Sequence, residues 1–173
     1  MGLNEFSDFD IDGLHRTLEA KRKAEGLTEK QMMDAINKTN NQLHLVPMSL
    51  GTIKNMVKRN ETTCQHVLHL CRWLDKSPED FLTEYKGKSH KIPFTKKGRF
   101  YWSMKKLATL VNEKKEQLGL SWKQIAQELN CSQNQVSGLH KRTYGISIHL
   151  AMRITQWLGK FSADFIVDVE KKS

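Results

Sequence analysis

The chain repeats itself. Gly26-Leu27-Thr28-Glu29-Lys30-Gln31-Met32 echoes Gly119-Leu120-Ser121-Trp122-Lys123-Gln124-Ile125. Further on, Arg72-Trp73-Leu74-Asp75-Lys76-Ser77-Pro78-Glu79-Asp80-Phe81-Leu82 echoes Gln156-Trp157-Leu158-Gly159-Lys160-Phe161-Ser162-Ala163-Asp164-Phe165-Ile166. Two landmarks in the same order define one unit used twice. Two units are too few for a solenoid, which needs about three or more stacked repeats. The 173 residues therefore divide into two small modules, residues 1–85 and 100–173, joined by a segment at 86–99.

Each module reads as a run of short helices. Ile11, Leu14, His15 and Leu18 in the first, and Met104, Leu107, Ala108 and Val111 in the second, follow i, i+3, i+4, i+7 and mark one helical face. Gly26 and Gly119 are placed to end these helices in the left-handed conformation. Thr28 with Gln31, and Ser121 with Gln124, match the capping-box pattern that opens a helix. Met32, Met33 and Ile36, or Ile125, Ala126 and Leu129, form the buried side of that second helix. Third helices start at Ser49 and Ser132, with Ile53 and Met56, or Val136 and Leu139, turned inward. A fourth helix runs to Trp73-Leu74 or Trp157-Leu158. Ser77-Pro78-Glu79-Asp80 predicts a fifth, with a cap, Pro at the first position and acids in the first turn.

Leu120 to Ala126 and Cys131 to Leu139, closed by Trp157-Leu158 and Asp164-Phe165-Ile166, resemble the Cro/phage-repressor (Xre-type) helix-turn-helix family. The resemblance covers a whole module in the second repeat and the same frame, less cleanly, in the first. It implies an all-α fold of two tandem lambda-repressor-like helix-turn-helix domains, about five short helices each. It also implies a transcriptional regulator, a repressor by family analogy, of phage, plasmid or bacterial type. In that family the third helix lies in the major groove.

Helical geometry turns Asn134, Ser137, Gly138 and Lys141 away from the Val136/Leu139 core. Gln133, Asn134 and Gln135 carry amides suited to adenine, and Ser137 suits several base edges. Lys141 and Arg142 follow the helix, where the family contacts phosphate. Ser121 and Ser132 cap helix ends whose free N–H groups suit phosphate, with Lys123 beside Ser121. Trp122 has two readings, one against the sugar–phosphate backbone and one within the core. In the first repeat the corresponding candidates are Ser49, Thr52, Lys54, Asn55, Lys58 and Arg59. That repeat departs from the pattern in two ways. About ten extra residues, Lys38 to Pro47, stand where a turn of about 3–4 is usual. Glu29 replaces a neutral residue near phosphate. A second reading stays open for this repeat, a protein-interaction module of antitoxin or antirepressor type serving oligomerisation.

Charge sharpens the division. Residues 1–85 hold 11 Lys/Arg and 13 Asp/Glu, a net of −2, whereas 86–173 hold 17 and 6, a net of +11. The basic half calls for a polyanionic partner. The joining segment Lys86–Arg99 carries six cations and no acid. Fully extended it spans at most about 45–50 Å, enough to set two modules on successive major grooves; it reads equally as a plain tether. Phe100, Tyr101 and Trp102 are expected to pack one module on the other, and Phe6 and Phe9 of the acidic N-terminal arm to serve packing or self-association.

Several functions are disfavoured. Cys64-x-His66-x-x-His69-x-Cys71 looks metal-like, but on a helix the thiols face the core with Val67 and Leu68 while both histidines face outward, so no metal is expected. No phosphate loop, dinucleotide fingerprint or nucleophile motif occurs, and the chain is expected not to be an enzyme and to need no cofactor. Three cysteines without CxxC spacing, an acidic N-terminus without an apolar stretch and no run of about 20 apolar residues lead to an expected cytoplasmic protein away from membranes. Its expected partner is a double-stranded DNA operator; self-association is open, and no small-molecule effector domain is evident.

Overall fold

The computed structural model describes residues 6–40 and 48–169, and these are mostly helical. In the first repeat α1 (Ile11–Ala24), α2 (Glu29–Asn40), α3 (Leu50–Arg59) and α4 (Cys64–Leu74) precede a 3-10 turn at Pro78–Phe81. In the second, β1 (Phe100–Trp102), α5 (Met104–Leu118), α6 (Trp122–Leu129) and α7 (Gln133–Ser137) come first. A 3-10 turn at Leu139–Lys141, α8 (Ile148–Trp157), a 3-10 turn at Ser162–Phe165 and β2 (Ile166–Asp168) complete it. No helix is long and apolar enough to cross a membrane among the described residues.

Local chemistry explains the boundaries. The Thr28 Oγ1 accepts the Gln31 backbone N–H at 3.1 Å while the Gln31 side-chain Oε1 accepts the Thr28 N–H at 2.8 Å. Ser121 and Gln124 repeat the exchange at 3.1 and 2.8 Å. Each box satisfies two backbone donors that a helix start leaves free. Gly26 and Gly119 adopt φ of +65° and +63°, a backbone that side chains with a Cβ resist. The apolar faces read from periodicity are buried, with the exception of His15, which is half-exposed.

Three local expectations change. Helix is not universal: β1 pairs antiparallel with β2, Trp102 opposite Ile166. The fifth helix of the first repeat is only the 3-10 turn at Pro78–Phe81. The extra residues between α2 and α3 extend α2 to Asn40, and 41–47 lie outside the described residues. The ends of that connection are tied together by Asn37, whose amide donates to the Met48 carbonyl at 2.6 Å and accepts the Met48 N–H at 2.7 Å.

The two repeats share one continuous hydrophobic core, and their junction is reciprocal. From Gly26 to Gly119 is a step of 93 residues, and from Trp73 to Trp157 a step of 84; the smaller step reflects the longer α2–α3 connection. By that correspondence Thr63 and Ser147 are the same residue of the unit, and they pair antiparallel with each other. Cys64 N–H donates to the Ile146 carbonyl at 2.8 Å, and Ile148 N–H to the Thr62 carbonyl at 2.9 Å. Antiparallel pairing of a residue with its own equivalent requires an approximate two-fold axis through the pair.

Contacts farther out obey the same axis. Gln65 of α4 bonds the Trp102 backbone, and its equivalent His149 of α8 packs edge-on against Phe9, the equivalent of Trp102, at 6.4 Å between ring centroids. Arg72 lies 4.9 Å over the Phe100 ring, and its equivalent Gln156 exchanges two hydrogen bonds with Ser7, the equivalent of Phe100. Within each repeat, Lys21 donates to the Trp73 carbonyl as Lys114 does to that of Trp157. Glu79 breaks the symmetry: it is buried and accepts both the N–H and the Oγ–H of Ser162.

The basic joining segment is not a free extended tether. Ile92 is buried, Phe94 packs edge-on against Phe100 with centroids 5.1 Å apart, and His90 stacks on Phe161 at 3.7 Å. Arg72 donates to the Thr95 carbonyl at 2.7 Å and the Ser77 hydroxyl to that of His90 at 2.7 Å. These contacts hold the segment against both repeats.

Candidate nucleic-acid interface

In the second repeat α6 and α7 pack closely, and Val136 and Leu139 fix the inner side of the α7 segment. Ser132, Gln133, Asn134, Lys141 and Arg142 are exposed, as are Ser121 and Lys123. Gln135 and Ser137 are half-buried. The Ser132 hydroxyl accepts the Gln135 N–H at 3.3 Å, and the Gln135 side-chain carbonyl accepts the Ser132 N–H at 2.9 Å. Gln135 thus spends its acceptor on the cap and leaves Gln133 and Asn134 as the uncommitted amides of the first turn. Gly138 has a reason within the fold, since a Cβ there would stand 3.1 Å from the Asn134 carbonyl oxygen.

Trp122 is half-buried at the edge of the core, and Lys115 Nζ lies 5.2 Å from its ring centroid.

In the first repeat α3 is longer and more regular than α7. Ile53 and Met56 face the core. Ser49, Lys54, Asn55, Lys58 and Arg59 are exposed, and Thr52 is half-buried with its hydroxyl accepting the Ser49 N–H at 3.3 Å. An open groove runs from the outer side of α3, at Thr52, Asn55 and Arg59, to Thr62, Thr63 and Ser147 on the two-fold axis. The exposed side of α3 and the axis therefore share one surface. Glu61 lies on that surface too, where its carboxylate accepts the Ser147 hydroxyl at 2.7 Å.

The candidate cations of both repeats are uncommitted. Lys54, Lys58, Arg59, Lys141 and Arg142 form no ion pair among the described residues. Lys21, Lys114 and Arg153, by contrast, cap helix ends or carbonyls inside the fold. The sequence reading missed Tyr144, which is 84% exposed on the loop after Lys141-Arg142. Its only signal was an aromatic outside every apolar periodicity.

The cysteine–histidine run does not converge: among the described residues no group of three or more His, Cys, Asp and Glu is placed to hold an ion. Cys64 and Cys71 are core thiols, and burial pushes Cys64 up to about 12 and Cys71 well above its ordinary value. His69, expected on the surface, is instead 2% exposed. The helix face opposite the core of one repeat is covered by the other repeat, a packing that periodicity within α4 does not reveal. Burial, with the charges of His66 and Arg72 behind it, lowers His69 to about 4.

Comparison of the sequence with protein families, with curated proteins and with solved structures gave no match.

Proposed function

We propose that this chain is a sequence-specific regulator that binds double-stranded DNA and acts as a repressor. In this reading each repeat is a lambda-repressor-like helix-turn-helix unit, α2 with α3 and α6 with α7, and the third helix of each enters the major groove. The observation that carries it is the surface of the α7 segment: Gln133 and Asn134 exposed and uncommitted in the first turn, and Lys141 and Arg142 exposed and unpaired at its end. Amides at that spacing match the N6 and N7 edge of adenine, and cations at the other end match phosphate.

The companion surface of α3 adds Lys54 and Asn55 for base edges and Lys58 and Arg59 for phosphate. Four phosphate-directed cations set an expected salt dependence, since each neutralised phosphate contributes about −0.9 to the slope of log K against log salt. The slope should be about −3 to −4. The test is fluorescence anisotropy of the full chain against a random-sequence duplex pool and then against sites selected from it. Binding with that slope and a preferred site supports the reading. Absence of binding at low salt overturns it. A reporter placed behind the selected site then tests repression itself.

A further inference from the structure

From the two-fold junction we infer that one chain reads, as a monomer, an inverted pair of two unlike half-sites on a single DNA duplex. The inference rests on the DNA-binding reading above and adds the symmetry, composition and stoichiometry of the operator.

Three observations carry it. The first is orientation. The Thr63–Ser147 pairing joins equivalent residues antiparallel, so the repeats are related by rotation, not by translation along the chain. A rotational pair presents its two third helices in opposite senses along a duplex. Half-sites read by such a pair are inverted, whereas two modules strung in tandem on a tether would read direct repeats.

The second is reach. Thr63 lies four residues past the end of α3 at Arg59, and Ser147 six residues past Lys141. At about 3.5 Å per residue, plus about 5 Å across the pair, the two helix ends stand at most about 40 Å apart. Adding half the length of each helix, at about 1.5 Å per residue, bounds their centres at about 55 Å. Adjacent major grooves on one face are about 34 Å apart and those two turns apart about 68 Å, so only the nearer spacing fits.

The third is the division between shared and unshared residues. Aligned on their caps at a step of 83, with one extra residue between Arg142 and Ser147, Ser49 and Ser132, Lys58 and Lys141, and Arg59 and Arg142 correspond, and each pair is identical. These are the cap and the phosphate-directed positions. The base-directed positions differ: Gly51 stands for Asn134, Lys54 for Ser137 and Asn55 for Gly138. Identical anchors with different reading residues mean the same docking on two different sequences. Lys54 favours guanine and Asn55 adenine, while Gln133 and Asn134 favour adenine. Glu61 at the axis lies between the half-sites, where no base-directed residue is required.

The experiment selects sites from random duplex with the full chain, and weighs the complex by native mass spectrometry. A 1:1 complex on two unlike, inverted elements about one turn apart is the expected result. Selection is repeated with K54A/N55A and with Q133A/N134A; all four side chains are exposed. Each variant should relax one element only, with a loss of roughly 5- to 150-fold on its own half-site. A single element, a direct repeat, a true palindrome bound by two chains, or elements untouched by K54A/N55A would overturn the inference while leaving DNA binding in place. Failure to select any DNA would overturn the DNA-binding reading and this inference together.

Discussion

Replacing Gln65 by Ala tests the junction at one side chain. The Gln65 amide donates to the Trp102 carbonyl at 2.8 Å and its oxygen accepts the Trp102 N–H at 3.0 Å. Trp102 is fully buried, so truncation leaves one backbone donor and one acceptor without partners. Each such orphan costs about 1–3 kcal/mol, with water entry into the vacated space reducing the total. The expected loss is about 2–4 kcal/mol, a large share of a total stability of about 5–15. With a urea slope of about 2 kcal/mol per molar, the midpoint should fall by about 1–2 M without a change in slope. Urea titrations followed by far-ultraviolet circular dichroism and by tryptophan fluorescence measure this. Because the repeats share one core, both probes should report a single coincident transition in the parent protein and in the variant. A loss below about 0.5 kcal/mol, within the range of an ordinary surface change, would refute the role given to Gln65. Two separated transitions in the parent would refute the shared core.

Three further outcomes are expected. His69 has a folded value of about 4 against 6.5 in the unfolded chain, so stability is fully present above 6.5 and is lost as pH falls toward 4. The loss is at most about 3 kcal/mol, and His69→Leu should flatten that limb of a stability-against-pH curve. Glu79 works in the opposite sense: burial raises its carboxyl, so the fold favours the protonated form and loses stability as pH rises from 4.5 through the raised value. Glu79→Gln, which keeps an acceptor for the Ser162 N–H, should be the more stable form at neutral pH in urea titrations, and the gap should close on acidification. Lys141→Ala should weaken all DNA sequences alike and reduce the salt slope by about 1, so a sequence-selective effect would contradict its assignment to phosphate.

Much of this architecture was legible in the sequence because it is written in local rules. The repeat, the glycine stops, the capping boxes and the inner faces of α1, α2, α5 and α6 depend on residues at most a few positions apart. The junction was not. Gln65 meets Trp102 across 37 residues, and Ser7 meets Gln156 across 149, and no periodicity marks such pairs. The same blindness misplaced His69, whose exposure within its own repeat is cancelled by the second repeat. It also left the basic segment either as an extended link between grooves or as a plain tether, because the buried Ile92 and the stacked His90 find their partners only once both repeats are folded. On the candidate site, the exposure of Asn134 follows from helical geometry, whereas Ser137 and Gly138, also expected to face outward, are half-buried because α7 ends at Ser137 and gives way to the 3-10 turn that holds Lys141. The commitment of Gln135 to its cap does not, since an amide in the first turn suits either a base or a cap.

The most direct test of DNA reading by α7 is the base preference of Asn134→Ala. Asn134 is exposed and outside the core, so the variant should fold normally and bind with an unchanged salt slope. Its selected site should lose preference at one or two adjacent positions, worth about 1–3 kcal/mol each. A selected site identical to that of the parent, at equal affinity, would remove α7 from the DNA interface and contradict the account.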